Sequence, residues 1–359
     1  MPIDLHGFHR AAVETPSHDS VEAMRDLLVE TLESAGLDPW IDDSGTVRAE
    51  RSAGDGGHLL LNTHLDTVPP HRPYRRDGDR IYGRGSCDAK GPLAAMIHAF
   101  EAATIESGRV TLAITPDEET SQHGAAHLAE TLAPDHAIVG EPTGLDVCVG
   151  ARGQFEGTIT LSGASAHAAG TDGINAVAAA GPVLDAIGTF DRERGPAPDD
   201  RLGPPSLTAT EIAGGTAPNR VPETCTITFD RRPVPPETPA AFRDALTEHL
   251  DAALDDAGNA ATVRVTLADR EAPQLGAFRT PDDASVVTAL RAGGAGSIRA
   301  FGAATEASLF ADRVPTAIYG PGVLADSEGP VAHADREYVE RDDLDEAAKT
   351  LTTAIETLC

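Results

Sequence analysis

The sequence predicts an α/β protein in which one domain is inserted into another. Stretches with helical spacing of apolar residues alternate with short apolar runs, as in sheets that are covered by helices. A length of 359 residues suffices for about two domains. The strand pattern also changes character at residue 151 and changes back after residue 270. We therefore predict a first domain from residues 1–151 and 271–359, interrupted by a second from residues 152–270.

The first predicted element is an amphipathic helix. Apolar residues recur at helical spacing over residues 20–35. Asp19 and Glu22 match a capping box at its start, and Gly36 matches a helix stop. A strand and a turn follow at Trp40–Arg48.

A buried parallel strand comes next. The apolar run His58–Leu61 has no polar alternation, as expected for a strand covered on both faces. It leads into His64 and Asp66, which point to one face because they are two positions apart. A carboxylate beside a histidine fixes the imidazole tautomer, a common arrangement around metal ligands.

Two further apolar strands also end in carboxylates. The strand at 109–115 leads into Asp117, Glu118 and Glu119, and the strand at 136–140 leads into Glu141. In open α/β sheets, ligand sites lie at the carboxyl ends of strands. The sequence therefore predicts an acidic site at this edge of the sheet.

Asp88 lies in a glycine-rich loop before a helix. Pro92 suits the first helical position, and the helix is predicted over Leu93–Ala103. The glycines of the loop match neither common phosphate-binding pattern. Asp88 is therefore a candidate ligand in a tight turn.

The inserted stretch reads as an antiparallel domain. Its strands alternate apolar and polar residues, which indicates one buried and one exposed face. Two helices separate the strands in the order βαββαβ, the ferredoxin-like arrangement, with a Pro/Gly-rich loop at Gly195–Pro205. The strands are predicted at 155–162, 206–212, 224–230 and 262–267, and the helices at 174–189 and 239–255.

After residue 270 the sequence pattern of the first domain returns. A helix at 281–292 precedes a core strand at 314–319, which ends in Gly320-Pro-Gly322. His333 follows in a loop, and a last helix is predicted over 342–358.

Charge and composition limit the partners and the compartment. Asp and Glu total 57 against 28 basic residues, a formal charge of −29, so nucleic acid and anionic lipid are excluded as partners. No apolar run is long enough to span a membrane, and the start of the sequence has no signal-peptide pattern. The four cysteines have no disulfide or zinc-knot spacing. We expect a cytoplasmic protein, and the acidity suits a high-salt cytoplasm.

Five arginines occur within residues 71–84, a local basic cluster in an acidic chain. Two interpretations stay open. The loop is a solvated hairpin, or it attracts an anionic substrate to the neighbouring site.

The candidate metal ligands are His64, Asp88, Glu119, Glu141 and His333. Two imidazoles and three carboxylates without a thiolate suit zinc, cobalt or manganese in a catalytic site. Five ligands are too many for one open catalytic ion, but they suit two ions that share a carboxylate. Asp88 is the natural bridge because a tight turn holds it. Since the side chains of Glu118 and Glu119 point apart, one can bind metal while the other acts as general base.

Taken in order, these motifs resemble the M20 metallopeptidase family. They are His64-Leu-Asp66-Thr-Val-Pro69, Gly83-Arg-Gly-Ser-Cys-Asp88-Ala-Lys-Gly91, Asp117-Glu118-Glu119, Gly140-Glu141-Pro142-Thr143 and the late His333. The resemblance implies a phosphorylase/hydrolase-like catalytic domain with two Zn²⁺ ions, for which Co²⁺ or Mn²⁺ can substitute. It also implies that the ferredoxin-like insert is a lid that forms a homodimer.

The resemblance further implies roles for these residues. His64, Asp88 and Glu141 would bind one ion, and Asp88, Glu119 and His333 the other. Asp66 would orient His64, Glu118 would be the general base, and the peptide bond after Asp88 would be cis.

The insert also carries residues that resemble family features. His167, in Gly163-Ala-Ser-Ala-His167, resembles a histidine that stabilises the oxyanion in its own or the partner subunit's site. Asn219 and Arg232 resemble anchors for a substrate carboxylate, with Arg231 in reserve. In the first domain, Gly320 and Gly322 resemble a substrate-facing turn. One departure is Thr305-Glu306, where the family often has Thr-Asp.

The implied function is hydrolysis of an amide that joins an acyl group to an amino acid. Arg232 and the basic loop favour an acidic substrate, which leads to N-succinyl-LL-2,6-diaminopimelate desuccinylase of lysine biosynthesis. N-acetylornithine deacetylase is the alternative, as is a hydrolase of carrier-bound lysine or ornithine, although the acidic surface would repel an acidic carrier. More remote alternatives are a dipeptidase or carboxypeptidase, and a catalytically dead binding protein.

Overall fold

The computed structural model describes residues 2–359, which fall into two units. The first unit comprises the chain up to Ala151 together with Glu271–Pro273 and Arg279–Cys359. The second comprises Arg152–Arg270 and Gln274–Phe278.

The helices and strands follow the predicted alternation. The helices of the described residues are α1 (Leu5–Glu14), α2 (Glu22–Ser34), α3 (Lys90–Ala102), α4 (His123–Thr131), α5 (Ala176–Glu193), α6 (Pro239–Asp256), α7 (Ser285–Gly293), α8 (Ala307–Ala311) and α9 (Arg341–Leu358). The strands are β1 (Trp40–Ile41), β2 (Val47–Ala53), β3 (His58–His64), β4 (Arg75–Asp77), β5 (Arg80–Tyr82), β6 (Gly108–Thr115), β7 (His136–Val139), β8 (Val147–Ala151), β9 (Phe155–Ser162), β10 (Ser206–Gly214), β11 (Thr224–Arg232), β12 (Thr262–Leu267), β13 (Phe278–Arg279), β14 (Ile298–Phe301), β15 (Thr316–Ile318), β16 (Ala325–Asp326), β17 (Gly329–Pro330) and β18 (Tyr338–Glu340). The mixed α/β class is confirmed.

A mixed sheet forms the centre of the first unit, in the order β1-β2-β6-β3-β7-β15-β8-β13, with β14 also paired to β8. Its central strands β6, β3, β7 and β15 run parallel. Every residue of β3 is buried, as its unbroken apolar run predicted. Because β3 has β6 and β7 as its neighbours, the residues that follow these three strands meet at one edge.

Two local predictions for the first unit were wrong. The capping box at Asp19 and Glu22 does not form: α2 begins after Val21 without a side-chain cap, and Ser20 Oγ accepts the Glu22 N–H instead. Helix α3 begins at Lys90, so Pro92 is its third residue and not its first. The predicted stop at Gly36 is present, with φ of +85° and the Leu37 N–H bonded to the Leu32 carbonyl.

Helix α1 was not predicted. Asp4 caps its start by accepting the Gly7 N–H. Leu5, Phe8 and Ala12 recur at helical spacing and are buried. The signal was therefore present in the first fifteen residues, in a helix of only 10 residues.

The second unit is a four-stranded antiparallel sheet in the order β10-β11-β9-β12 with two helices, α5 and α6. Along the chain the order is βαββαβ, as predicted. The inward residues of β9 and β11, such as Ile159 and Ile227, are fully buried and share a core with α5 and α6. The loop at 195–205 contains no helix or regular strand.

The arginine-rich stretch is a hairpin formed by β4 and β5. Its arginines contact nearby acceptors: Arg72 pairs with Asp335, Arg75 with Asp77, Arg80 with Glu340 and Arg84 with Glu337, while Arg76 donates to the Gly78 carbonyl. This arrangement supports the solvated-hairpin interpretation, because most of the positive charge is balanced locally. Arg84 is buried and does not belong to the exposed cluster.

None of the helices within residues 2–359 has the length and apolar character that crossing a membrane requires.

Candidate metal centre

Three neighbouring strands bring the first ligand candidates together. β3 ends at His64, β6 leads into the turn of Glu118 and Glu119, and β7 leads into Glu141. Since these strands are adjacent and parallel, their carboxyl ends lie side by side.

A small antiparallel sheet brings in the other two candidates. Asp88 lies in the loop after β5, and His333 lies in the loop before β18. β5 pairs with β18, with Tyr82 opposite Tyr338, so the two loops emerge next to each other. Local sequence gives no sign of this pairing.

The five predicted ligands form two groups that share Asp88. In one group, ligand atoms of His64, Asp88 and Glu141 lie within 4.8 Å of one another, and in the other those of Asp88, Glu119 and His333 do so. The His64 Nε2 atom is 3.5 Å from Asp88 Oδ1, and the His333 Nε2 atom is 3.2 Å from Asp88 Oδ2. Each oxygen of Asp88 therefore faces a different group. The Asp88–Ala89 peptide bond is cis.

The residues fit metal ions. His64 Nδ1 is engaged by Asp66, which leaves Nε2 as the outward nitrogen of a side chain that is 1% exposed. That Nε2 atom is buried and has no hydrogen-bond partner. A buried nitrogen without a partner, surrounded by carboxylates, is suited to binding a cation. The donor set of nitrogen and oxygen favours zinc, cobalt or manganese.

Asp66 does more than orient His64. Its Oδ1 atom accepts the Glu118 N–H at 3.0 Å and its Oδ2 atom accepts the Glu119 N–H at 3.0 Å. Its Oδ1 atom is also 3.2 Å from His64 Nδ1. One carboxylate thus contacts both a candidate ligand histidine, as predicted, and the backbone of the tandem glutamates, which the sequence did not reveal.

When no cation is bound, burial and neighbouring charges raise the pKa values of several side chains in the centre, which therefore tend to stay protonated. Burial raises the pKa of Glu141 to about 8, and the Asp88 carboxylate adds to this shift. Burial also raises the pKa of Glu118 well above its ordinary value. Hydrogen bonds to Asp88 and Glu119 raise the pKa of His333 to about 10.

The histidines in turn hold the shared carboxylate ionised. Burial opposes ionisation of Asp88, but the nearby imidazoles of His333 and His64 outweigh this and lower its pKa below the ordinary value. The carboxylate that faces both groups is therefore charged and ready to bind cations.

Neighbouring polar residues support the ligands. Thr305 Oγ1 donates to Glu141 Oε1 at 2.8 Å. Glu306, at 1% exposure, accepts from Thr115 Oγ1 at 2.8 Å, and burial raises its pKa. Asp117 accepts the N–H groups of His123 and Gly124 and so fixes the turn that carries the glutamates. None of these partners has a spacing that sequence could reveal.

Gly320 and Gly322 are required by packing. A Cβ atom on Gly320 would lie 2.6 Å from the Glu141 carbonyl oxygen, and one on Gly322 would lie 2.4 Å from the Cys87 Cβ atom. Gly322 also has φ of +82°. Both residues are buried beside the ligand loops, and their contact with substrate stays a prediction.

His167, Asn219 and Arg232 belong to the second unit. His167 Nδ1 accepts the Ala169 N–H, so neutral His167 carries its proton on Nε2. The Asn219 carbonyl accepts the Ala168 N–H at 2.9 Å, which places these segments side by side. The roles of all three residues stay predictions.

The structure distinguishes the two candidate arginines. Arg231 is fully buried and pairs with Asp191 and Glu237 inside the second unit. Arg232 is 35% exposed at its side chain and is bonded to Asp230. Arg232 is thus the more exposed of the two arginines, and its contact with substrate stays a prediction.

Comparison with known proteins identifies the family. The sequence model of peptidase family M20/M25/M40 matches residues 60–357, which include every ligand candidate. The chain belongs to this family. It is a metal-dependent hydrolase of amide bonds, and the predicted resemblance is confirmed.

The similarity to known proteins covers most of this M20 chain. A putative LysW-lysine/LysW-ornithine hydrolase of Pyrobaculum aerophilum is 29% identical, over 96% of the chain and 94% of that protein. An acetylornithine deacetylase of Aliivibrio fischeri (strain MJ11) is 30% identical, over 79% of the chain and 77% of that protein. The structure of YXEP from Bacillus subtilis, described as a dinuclear metal-binding M20 peptidase, has a TM-score of 0.73 at 14% identity and covers 99% of this chain and 97% of its own.

Proposed function

We propose that this M20 hydrolase uses two metal ions to remove the acyl group from an amino group of ornithine or lysine. The observation that carries the proposal is the pair of ligand groups that share Asp88. Such a pair is suited to two ions joined by one carboxylate. His64 and Glu141 complete one group, and Glu119 and His333 the other.

Zinc is the proposed metal, with cobalt or manganese as substitutes, and it would supply Lewis acidity to the amide carbonyl. Glu118 lies next to the ligand Glu119, and its backbone is fixed by Asp66. In the proposed reaction Glu118 takes a proton from the attacking water, whose oxygen bonds to the carbonyl carbon. The same proton passes to the nitrogen as the C–N bond breaks, so that the amine leaves neutral.

Replacing Glu118 by Ala tests this role. The variant is expected to bind as much metal as wild type and to lose about 10²–10⁴-fold in kcat, as is usual for loss of a general base. Glu130→Ala is the control, because Glu130 is an exposed glutamate at the end of α4 in the same segment. Near wild-type turnover by the Glu118 variant would exclude the assignment.

Ornithine and lysine derivatives are favoured by the names of the relatives, which refer to acetylornithine or to LysW-bound lysine and ornithine. The desuccinylase prediction lacks this support. One of its two arguments is also weakened, since the arginines of the hairpin have local partners. Arg232 remains as a candidate anchor for a carboxylate.

A panel of substrates identifies the acyl group that the protein removes. Metal-loaded protein would be assayed in parallel with N-acetylornithine, a carrier-linked lysine or ornithine, N-succinyl-diaminopimelate and simple dipeptides. Preference for an acetylornithine or carrier-linked substrate supports the proposal. Preference for N-succinyl-diaminopimelate or for dipeptides contradicts the substrate assignment but leaves the metal chemistry intact, whereas metal content of wild type tests the two-ion centre.

A homodimer through the second unit is the remaining part of the proposal. β10 is an edge strand with Ile212 at 54% exposure. Helix α5 exposes Val177 and Leu184 at 41% and 40%. Unpaired strand edges and exposed apolar residues are typical of association surfaces.

Light scattering of wild type and of an Ile212→Asp variant tests this surface. A dimer that becomes a monomer in the variant supports the proposal. Exposed Ile41 of the first unit supplies the matched control, Ile41→Asp, which is expected to leave the dimer intact. A wild-type protein that is monomeric contradicts the proposal.

A further inference from the structure

A buried arginine connects the three loops that carry the candidate ligands His64, Asp88 and His333. Arg84 is 2% exposed and belongs to the loop that leads to Asp88. Its Nη2 atom donates to the His333 carbonyl at 3.1 Å, and its Nε atom donates to the Pro70 carbonyl at 3.4 Å. Pro70 lies in the segment that follows His64. One guanidinium therefore touches all three loops.

The carboxylate of Glu337 completes this connection. It is 1% exposed, and its Oε2 atom accepts from Arg84 Nη1 at 2.6 Å. Its Oε1 atom accepts the N–H groups of Cys87 and Asp88, each at 3.2 Å. Glu337 follows His333 by four residues, so it ties the histidine loop directly to the backbone of the shared ligand.

The backbone at His333 needs such support. Its φ is +63°, in the left-handed region that residues other than glycine seldom adopt. Residues in that region persist where their surroundings hold them. The side chain of His333 is 51% exposed and contacts Asp88 and Glu119, while the bond from Arg84 to its carbonyl restrains the backbone.

Burial of an ion pair is by itself weak evidence for stability, because removing two charges from water is costly. Here the pair has a specific geometric result. It links the backbones of Asp88 and His333, two of the three candidate ligands in one group. The other group shares Asp88, but its His64 and Glu141 follow strands β3 and β7 of the large sheet.

We propose that Arg84 and Glu337 are positioning residues for the metal site formed by Asp88, Glu119 and His333. They touch neither substrate nor metal and act through the loop backbones. Loss of the pair is expected to weaken binding of the ion at this site more than binding of the ion of the His64 group, because both Asp88 and His333 lose support in the first case and only Asp88 in the second. This inference rests on the two-metal centre of the proposed function.

The test compares wild type with Arg84→Met, Glu337→Gln and the double variant. The amide oxygen introduced by Glu337→Gln can still accept both N–H groups, but the neutral side chain no longer balances the charge of Arg84. The double variant leaves no unpaired buried charge, and therefore separates positioning from folding. Zinc affinities would be measured by competition with a chromophoric chelator, and metal content would be measured after dialysis. The visible spectrum of the cobalt-loaded protein would report the coordination geometry.

All three variants are expected to keep one tightly bound ion and to bind the second about 10–100-fold more weakly, as is typical when partners of metal ligands are removed. In steady-state assays, kcat is expected to fall at low metal concentration and to recover with added metal, while KM stays unchanged. A change in stability alone would not produce this selective recovery.

Arg231→Met is the matched control, because Arg231 is also a buried arginine with carboxylate partners but lies in the second unit. It is expected to lower stability without changing either affinity. Unchanged affinities in the Arg84 and Glu337 variants, or equal loss of both ions, would overturn the positioning role while the proposed function stands. Wild-type protein that binds no ion would refute the proposed function itself.

Discussion

Replacing Asp66 by Asn removes one oxygen and one charge from the residue that organises the centre. In wild type, Oδ1 faces His64 Nδ1 and the Glu118 N–H, and Oδ2 accepts the Glu119 N–H. Asn has one oxygen and one NH₂ group. In either orientation the NH₂ group therefore faces at least one N–H donor, and the turn that carries the glutamates must shift.

The size of the effect follows from the lost bonds. Hydrogen bonds to a charged group contribute about 1.5–3 kcal/mol each. With at least one such bond lost, the free energy of unfolding is expected to fall by about 1.5–3 kcal/mol. Activity is expected to fall by about 10–100-fold, since the bonds orient a candidate ligand histidine and the proposed general base.

Urea unfolding and kcat/KM of the metal-saturated protein on N-acetylornithine measure these effects. Asp135→Asn is the matched control, because Asp135 accepts the His58 N–H at 2.8 Å at the opposite end of the same strand. The control is expected to lose stability and keep activity. An Asp66 variant that loses no more activity than the control would refute the reasoning.

Three further predictions concern pH, metal and salt. Burial lowers the pKa of His9 to about 4, so between pH 6.5 and 4 the unfolded chain binds a proton that the native chain does not. The free energy of unfolding should therefore fall by about 3 kcal/mol as pH falls through this range. His9→Asn should make the urea midpoint less dependent on pH. Glu141 and His333, with pKa values of about 8 and 10, are largely protonated at neutral pH; calorimetry in two buffers should therefore show proton release on zinc binding, with affinity rising as pH rises. A charge of −29 implies self-repulsion that salt screens; the melting temperature should rise as ionic strength increases from about 0.1 to 1 M, where the Debye length shrinks from about 10 to 3 Å.

Each of these predictions has a clear contrary result. Identical pH profiles of wild type and the His9 variant would contradict the first. Equal binding enthalpies in both buffers would contradict the second. A melting temperature that is constant or falls with salt would contradict the third and, with it, the expectation of a high-salt cytoplasm.

Much of the fold was predictable because its signals are local. The fully buried strand β3 follows from an unbroken apolar run, and the strands of the second unit follow from strict alternation. Helix α1 was missed although its cap and apolar spacing are also local. The capping box was wrong because a matching spacing does not decide which side chain reaches the backbone.

The sequence by itself determined the α/β class, the antiparallel insert and the set of ligand candidates, because strand periodicity and residues at strand ends are properties of neighbouring positions. Only the tertiary structure decided that Arg84 is buried, that Arg231 is structural, and that Asp66 holds the tandem glutamates. Arg84 and Glu337 are separated by 253 positions. Contacts over such distances arise from strand order and loop packing, and no local pattern encodes them.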